Sequence, residues 1–295
     1  MNVKGLFNSA RVLTRSRLQY IFIWTWAITV PCLIVGKGFP PLLPTFKAIF
    51  SMIFVSISVY IYNDLIDHEL DKQNKVKNDR PLATGQVSTT DAMKLVYLSA
   101  IIGIAIGATL NIQAFSFILL FYILFTAYSW PPMHLKKRFL MKETIIMLGN
   151  IINAVAASYA VAGRIVPSAL FMGGLAAIFC ISSQPALWDT TDVEVDRLQG
   201  MKTLAMVMGW RAKIAFLFLG VLALMVGTSL FYSNLGFNAL LPLSVVIGGV
   251  FFIGYTAPLY RGYDEAKVLT SKKAVIGYWT ICQIVSIFSI MNISF

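Results

Sequence analysis

The stretch Asn63-Asp64-Leu65-Ile66-Asp67-His68-Glu69-Leu70-Asp71 is the most informative part of this sequence, because it places several acids at the end of a long apolar run. A second stretch, Trp188-Asp189-Thr190-Thr191-Asp192-Val193-Glu194-Val195-Asp196, repeats the pattern. In each stretch aspartates occur at positions i, i+3 and i+7, and matching aspartates are 125 residues apart. If both segments are helical, the three carboxylates of each lie on one helix face. We call residues 63–71 the first acidic cluster and residues 189–196 the second.

The composition identifies the environment of these clusters. Of the 295 residues, 58% are hydrophobic and 13% are charged, whereas about a quarter of the residues of a soluble domain are charged. We therefore predict an integral membrane protein whose solvent is the lipid bilayer. The net charge of +11 could indicate nucleic-acid binding, but the basic residues lie in short segments between apolar runs. We predict no nucleic-acid partner.

The apolar runs predict an all-α fold. A membrane-spanning helix needs about 20 predominantly apolar residues, and the chain contains nine such segments. We predict a single bundle of nine transmembrane helices, and one domain over residues 1–295. The predicted helices lie near residues 18–36, 47–66, 93–111, 113–130, 143–163, 166–188, 212–232, 238–257 and 274–294.

The charged residues predict the orientation of the bundle. With the N-terminus on side one, that side carries 21 of the 24 Lys and Arg residues, which leaves Lys37, Lys47 and Arg164 for the other side. The positive-inside rule puts side one in the cytoplasm. The N-terminus and the loops of the acidic clusters are then cytoplasmic, and the C-terminus lies on the opposite side.

The acids predict where function resides. All 13 Asp and Glu residues fall on side one, and ten of them lie within residues 64–91 or 189–196. We therefore expect a polar cap on the cytoplasmic side of the bundle. The two clusters end the second and sixth predicted helices, and this even separation suggests two parallel repeats of about four helices each.

The chemistry of the clusters requires a cation. Three carboxylates on one helix face repel one another, and sets of oxygen ligands favour a hard ion such as Mg²⁺. Bases follow each cluster at a distance that suits a diphosphate, namely Lys77, Arg80, Arg197 and Lys202. A solvated loop face would explain one such cluster, but it explains a duplicated one poorly. A further basic group, residues 136–138, could equally be a topology signal.

The motifs resemble those of a known family. The patterns are Asn63-Asp64-x-x-Asp67-x-x-x-Asp71 with Arg80-Pro81-Leu82, and Asp189-x-x-Asp192-x-x-x-Asp196-Arg197 with Lys202-Thr203-Leu204. Together with nine helices, they resemble the UbiA superfamily of intramembrane prenyltransferases over essentially the whole chain. Val195 and Ala205 depart from residues that the family often has, and these departures leave the acceptor open.

The resemblance implies Mg²⁺-dependent transfer of a prenyl group from a prenyl diphosphate donor to a hydrophobic or aromatic acceptor. The implied metal ligands, which we take as the catalytic residues, are Asp64, Asp67, Asp71, Asp189, Asp192 and Asp196. The implied substrate-binding residues are Asn63, Lys77, Arg80, Tyr128, Lys136, Arg197 and Lys202. Among the bases we favour Arg80 and Lys202 over Lys142 and Lys213 as ligands of the diphosphate. Asn150, Asn153 and Gln184 are candidates for the acceptor pocket, although hydrogen bonds between helices explain buried amides equally well.

Three alternatives stay open at this point. The motifs resemble both those of archaeal lipid enzymes, whose acceptor is geranylgeranylglyceryl phosphate, and those of the chlorophyll, homogentisate and menaquinone branch, whose acceptor is a quinone precursor. A membrane terpene cyclase of the same fold would use the same diphosphate chemistry. A cation transporter would instead need carboxylates near the bilayer midplane.

Overall fold

The computed structural model describes residues 3–73, 77–198 and 200–291, which contain α-helices and short helical turns and no strand. The helices are α1 (Val3–Ser16), α2 (Leu18–Val35), α3 (Leu42–Lys72), α4 (Thr89–Ala108), α5 (Ile112–Ser129), α6 (Met141–Ala162), α7 (Pro167–Ser183), α8 (Val193–Leu198), α9 (Leu204–Val207), α10 (Trp210–Phe231), α11 (Leu240–Thr256) and α12 (Glu265–Ile290).

The prediction of nine spanning helices is confirmed within the described ranges, where nine helices are long and apolar enough to cross a membrane. Three helices differ from the predicted bounds by five residues or more, namely α3 at both ends, α7 at its end and α12 at its start. Helix α3 continues to Lys72 and so contains the whole first acidic cluster. Helix α12 begins at Glu265 rather than near residue 274, because the Asp264 side chain accepts a hydrogen bond from the Lys267 backbone N–H at 3.0 Å and caps the helix there.

Helix α1 lies beside the bundle and packs against α3 and α4. Its Leu13 is fully buried in a small apolar core with Ile61, Leu65 and Val96. Arg17 connects α1 to α2 and is itself buried. The packing of α1 against α3 therefore places the guanidinium group of Arg17 near the end of α3.

Two larger apolar cores hold the spanning helices together. The first contains side chains of α2, α3, α5 and α6, such as Met52 and Phe121. The second contains side chains of α7, α10, α11 and α12, such as Leu217 and Leu241. Helix α2 contributes to both cores. Large apolar side chains on the outer faces, such as Phe251, are exposed, as expected where the solvent is lipid.

The segment before the second acidic cluster corrects one prediction. A regular helix was predicted near residues 166–188, but α7 ends at Ser183 and a π-helical turn follows over Gln184–Trp188. Pro185 explains the break, because proline has no N–H to donate and its ring clashes with the carbonyl four residues earlier. A 3₁₀ turn over Asp189–Thr191 then leads into α8. Asp189 and Asp196 are buried, whereas Asp192 is only half-buried.

Candidate active site

The first acidic cluster lies on one face of α3, as its spacing predicted. Asp64 and Asp71 are each 2% exposed. The Arg17 guanidinium binds Asp64 through two nitrogens, and its Nε lies 2.6 Å from Oδ2. Arg80 Nη1 lies 3.2 Å from Asp64 Oδ1 and 2.7 Å from Asp71 Oδ2. Burial, with a smaller contribution from Arg80, lowers the pKa of Arg17 to about 10, so the group remains charged at neutral pH.

The third carboxylate of this cluster has a different set of partners. Lys136 Nζ donates to Asp67 Oδ1 at 2.6 Å. Burial lowers the pKa of Lys136 below its ordinary value, and the charge of Asp67 opposes that shift. Asn63 Nδ2 donates to Asp67 Oδ2 at 3.2 Å and to Ser129 Oγ at 2.7 Å. These contacts tie α3 to the end of α5 and to the loop that follows it.

A lysine of α6 binds two aspartates of the second acidic cluster. Lys142 Nζ lies 2.8 Å from Asp189 Oδ1 and 3.3 Å from Asp196 Oδ2. Burial raises the pKa of Asp196 above its ordinary value, and Lys142 opposes that shift. The amide nitrogen of Gln184, in the orientation that satisfies both of its amide atoms, donates to both Oδ atoms of Asp189 at 3.3 Å.

The two clusters meet at one end of the bundle. Lys77 follows the first cluster in the chain, and its Nζ lies 3.8 Å from Asp192 Oδ2 of the second. Tyr128 lies near the first cluster, because its ring centroid is 6.0 Å from Nζ of Lys136, which binds Asp67. Residues far apart in sequence therefore form one charged site.

Four predicted residues lie apart from these contacts. Arg197 is exposed and pairs with Glu194 at 3.4 Å. Lys202 is exposed and binds no side chain in the described part of the chain. Asn150 and Asn153 are buried in α6 and donate to the carbonyls of Ile146 and Gly149 of their own helix, at 3.0 and 2.8 Å. Asn153 Oδ1 has no partner among the described residues.

The sequence had not pointed to Arg17 or Ser129 as parts of the site, and it had wrongly ranked Lys142, which binds Asp189 and Asp196, below the exposed Lys202. Arg17 and Lys142 each come directly before or at the start of an apolar run, so they look like topology signals. Both are in fact turned inward to carboxylates. Neighbouring Glu143 is 1% exposed, and its Oε1 accepts a hydrogen bond from the Leu204 backbone N–H at 2.8 Å. It holds the segment that follows α8.

The donor set fits Mg²⁺ bound together with a substrate. Within the described residues no three His, Cys, Asp or Glu side chains converge on one point as a complete metal site would. However, Arg80 Nη1 touches two carboxylates of the first cluster, and Lys142 Nζ touches two of the second. Mg²⁺ typically takes one or two carboxylates and completes its coordination with phosphate oxygens and water. Each pair of carboxylates supplies that number of ligands.

Comparison with known proteins identifies the family. A model of the UbiA prenyltransferase family matches residues 21–279. The chain belongs to this family. The predictions of a UbiA fold and of a prenyltransferase are thereby confirmed.

Individual relatives are similar over most of their length. Digeranylgeranylglyceryl phosphate synthase of Sulfolobus acidocaldarius is 26% identical over 273 residues, which cover 90% of this chain and 88% of that protein. 4-Hydroxybenzoate octaprenyltransferase of Nitrosococcus oceani is 25% identical, with 88% of each protein covered. The structure of a UbiA homolog from Archaeoglobus fulgidus bound to DMAPP and Mg²⁺ matches with a TM-score of 0.64 and 17% identity, and the match covers 93% of this chain and 98% of that one.

Proposed function

We propose that this prenyltransferase moves a polyprenyl group, such as geranylgeranyl, from its diphosphate to a lipid or aromatic acceptor in a Mg²⁺-dependent reaction. The observation that carries the proposal is the meeting of two acidic clusters and five bases at one end of an apolar bundle. The five bases are Arg17, Lys77, Arg80, Lys136 and Lys142. Metal ions need the acidic side chains as ligands, and the diphosphate needs the basic ones. The prenyl chain needs the apolar interior of the bundle.

The metal would be held by the aspartates of both clusters. We propose Asp64, Asp67 and Asp71 on α3, with Asp189, Asp192 and Asp196 after α7, as its ligands. When bound, Mg²⁺ acts as a Lewis acid that stabilises negative charge on the diphosphate oxygens. The A. fulgidus homolog was solved with Mg²⁺ and DMAPP, and this supports the same cofactor and donor class here.

The chain's own bases would neutralise the departing diphosphate. Breaking the bond between the prenyl carbon and the diphosphate oxygen leaves negative charge on that oxygen. Cations that are already fixed in place stabilise this charge without reorganisation. Arg17, Arg80, Lys136 and Lys142 are all at least half-buried and fixed by carboxylates. Exposed Arg197 and Lys202 would act at longer range by attracting the donor.

The remaining polar residues would position the substrates. Asn63 orients Asp67 through its hydrogen bond. Tyr128 presents an aromatic face close to the bases, where it would shield and stabilise an allylic cation. We propose Asn150 and Asn153 for the acceptor side of the bundle, and the Oδ1 of Asn153, which has no partner in the part of the chain that the structure describes, supports that role. The two named relatives support geranylgeranylglyceryl phosphate and a hydroxybenzoate as the first acceptors to try.

We also propose the orientation and organisation given by the charge pattern. The polar end would form a cytoplasmic cap, the C-terminus would lie on the opposite side, and the clusters would end two four-helix repeats within a single domain in the bilayer. Cysteines introduced at exposed Gln86 and Asn234 would test the orientation, because the three native cysteines are buried or half-buried. In sealed inverted vesicles an impermeant thiol reagent should label position 86 and spare position 234; the reverse result would contradict the orientation.

A screen of acceptors tests the reaction itself. Purified protein with Mg²⁺ and labelled geranylgeranyl diphosphate should prenylate geranylgeranylglyceryl phosphate or 4-hydroxybenzoate, and EDTA should stop the reaction until Mg²⁺ is restored. Consumption of donor to a cyclic product without acceptor would identify a terpene cyclase instead. If no prenyl diphosphate releases diphosphate under any of these conditions, the proposed function is wrong.

A further inference from the structure

Two lysines on the far side of the second acidic cluster have no role in the site described above. Lys213 projects from the first turn of α10, and its Nζ donates to Thr190 Oγ1 at 3.2 Å. Lys272 projects from α12, and its Nζ donates to Thr191 Oγ1 at 3.0 Å. Because the two threonines are consecutive, two helices bring two ammonium groups to one turn of the chain.

These lysines differ from every other base of the site in their partners. Arg17, Lys77, Arg80, Lys136 and Lys142 each pair with a carboxylate. Lys213 is only 7% exposed, and yet neither it nor Lys272 has an acid within ion-pair distance among the described residues. The acids nearest in the chain to the bonded threonines are Asp189 and Asp192, but an ammonium that makes no ion pair with them has lost hydration that their charge at longer range only partly replaces. An anionic ligand would compensate for that loss.

The pair approaches the second acidic cluster from different helices than the diphosphate bases do. Helices α10 and α12 pack against the turn at Gln184–Trp188, whereas Lys142 approaches the same region from α6. The first turn of α10 contains no acid, so the positive end of its dipole adds to the charge of Lys213. Lys272 lies 5.8 Å from the Trp188 ring centroid. An anion held there would lie beside the site and next to an aromatic face.

We propose that Lys213 and Lys272 form a second anion site that binds the phosphate of a phosphorylated lipid acceptor. The proposal rests on the prenyl-transfer function and narrows its acceptor. A phosphomonoester carries a charge of about −1.5 to −2 at neutral pH, which two ammonium groups match. Lysine binds phosphate as a point charge. The phosphate would anchor the acceptor while its hydroxyl faces the donor.

Equilibrium binding tests the site without turnover. Full-length protein in detergent, without donor, is titrated with labelled geranylgeranylglyceryl phosphate and with the corresponding alcohol, geranylgeranylglycerol. We expect wild type to prefer the phosphate. Lys213→Met and Lys272→Met should each weaken phosphate binding roughly 10- to 100-fold and leave alcohol binding unchanged, since each removes a charge-assisted contact. Lys273→Met, which removes the exposed neighbouring charge, is the matched control and should behave as wild type.

Measurements of KM for donor and acceptor then distinguish a failure of this proposal from a failure of the proposed function. With geranylgeranyl diphosphate and Mg²⁺, the two variants should raise KM for the phosphorylated acceptor and leave KM for the donor within about twofold, since they remove acceptor contacts only. A rise in donor KM instead would show that the lysines bind the diphosphate. Equal binding of phosphate and alcohol by wild type, or loss of binding in Lys273→Met as well, would overturn the proposal. Absence of prenyl transfer with selective phosphate binding would count against the function alone.

Discussion

Lys142 and Lys202 are two lysines near the second acidic cluster with opposite surroundings. Lys142 Nζ binds Asp189 and Asp196, whereas Lys202 is exposed. We expect Lys142→Met to lower kcat/KM roughly 10- to 100-fold, because it removes a buried charge-assisted contact and leaves two buried carboxylates without a base. Lys202→Met should cost less than about threefold, because solvent screens its charge. Steady-state rates with labelled donor would measure both, and equal losses would contradict the assignment.

Glu143 offers a second test at the scale of one residue. Its carboxylate is 1% exposed and accepts the Leu204 backbone N–H, while Oε2 has no partner in the described part of the chain. We expect Glu143→Ala to destabilise the protein by about 1 to 3 kcal/mol, since the half-buried Leu204 N–H loses its acceptor. Glu143→Gln keeps an acceptor oxygen, so it should cost less than half as much. Thermal unfolding in detergent measures both variants, and equal destabilisation would show that charge matters rather than the hydrogen bond.

Among the helices, the irregular end of α7 sets the direction of the second acidic cluster. Pro185 lies in the π-helical turn that separates α7 from Asp189. We expect Pro185→Ala to let the α-helix continue, to turn Asp189 away from Lys142, and to lower kcat roughly 10- to 100-fold, because small displacements of catalytic groups are costly. Pro242→Ala is the control, since Pro242 lies in the first turn of α11, where its missing N–H has no helical partner to lose. Unchanged kcat in Pro185→Ala would show that the turn is not required.

The same turn marks the limit of what the sequence could predict. Aspartates at i, i+3 and i+7 share one face wherever the segment is a regular helix, and this condition holds in α3, which is continuous, but not after Pro185. The nine spans followed from apolar length, because lipid admits few alternatives. The pairing of Arg17 with Asp64 did not follow, because a base beside an apolar run has the same sequence signature whether it faces the headgroups or turns inward.

Across the whole molecule, the site exists only when the two apolar cores pack together. Helix α3, which carries the first cluster, belongs to the first core. The turn that carries Leu187, directly before the second cluster, belongs to the second core. Helix α2 has side chains in both, such as Ile28 in the first and Ile34 in the second. The contact between Lys77 and Asp192 joins the clusters across that boundary. The two halves of the chain should therefore act as one catalytic unit.

Combined substitutions can test this unity. Asp71→Asn and Asp196→Asn each remove one charge, from the first and second cluster respectively, and each should lower kcat about 100-fold, since each weakens binding of the same metal and diphosphate charge. If one unit holds both, the double variant should lose little more than the worse single variant, because effects within a unit are not additive. Asp264→Asn preserves the cap of α12, and its small effect should simply multiply that of Asp71→Asn. Multiplied losses in the Asp71 and Asp196 double variant, to about 10,000-fold, would mean that the clusters work independently.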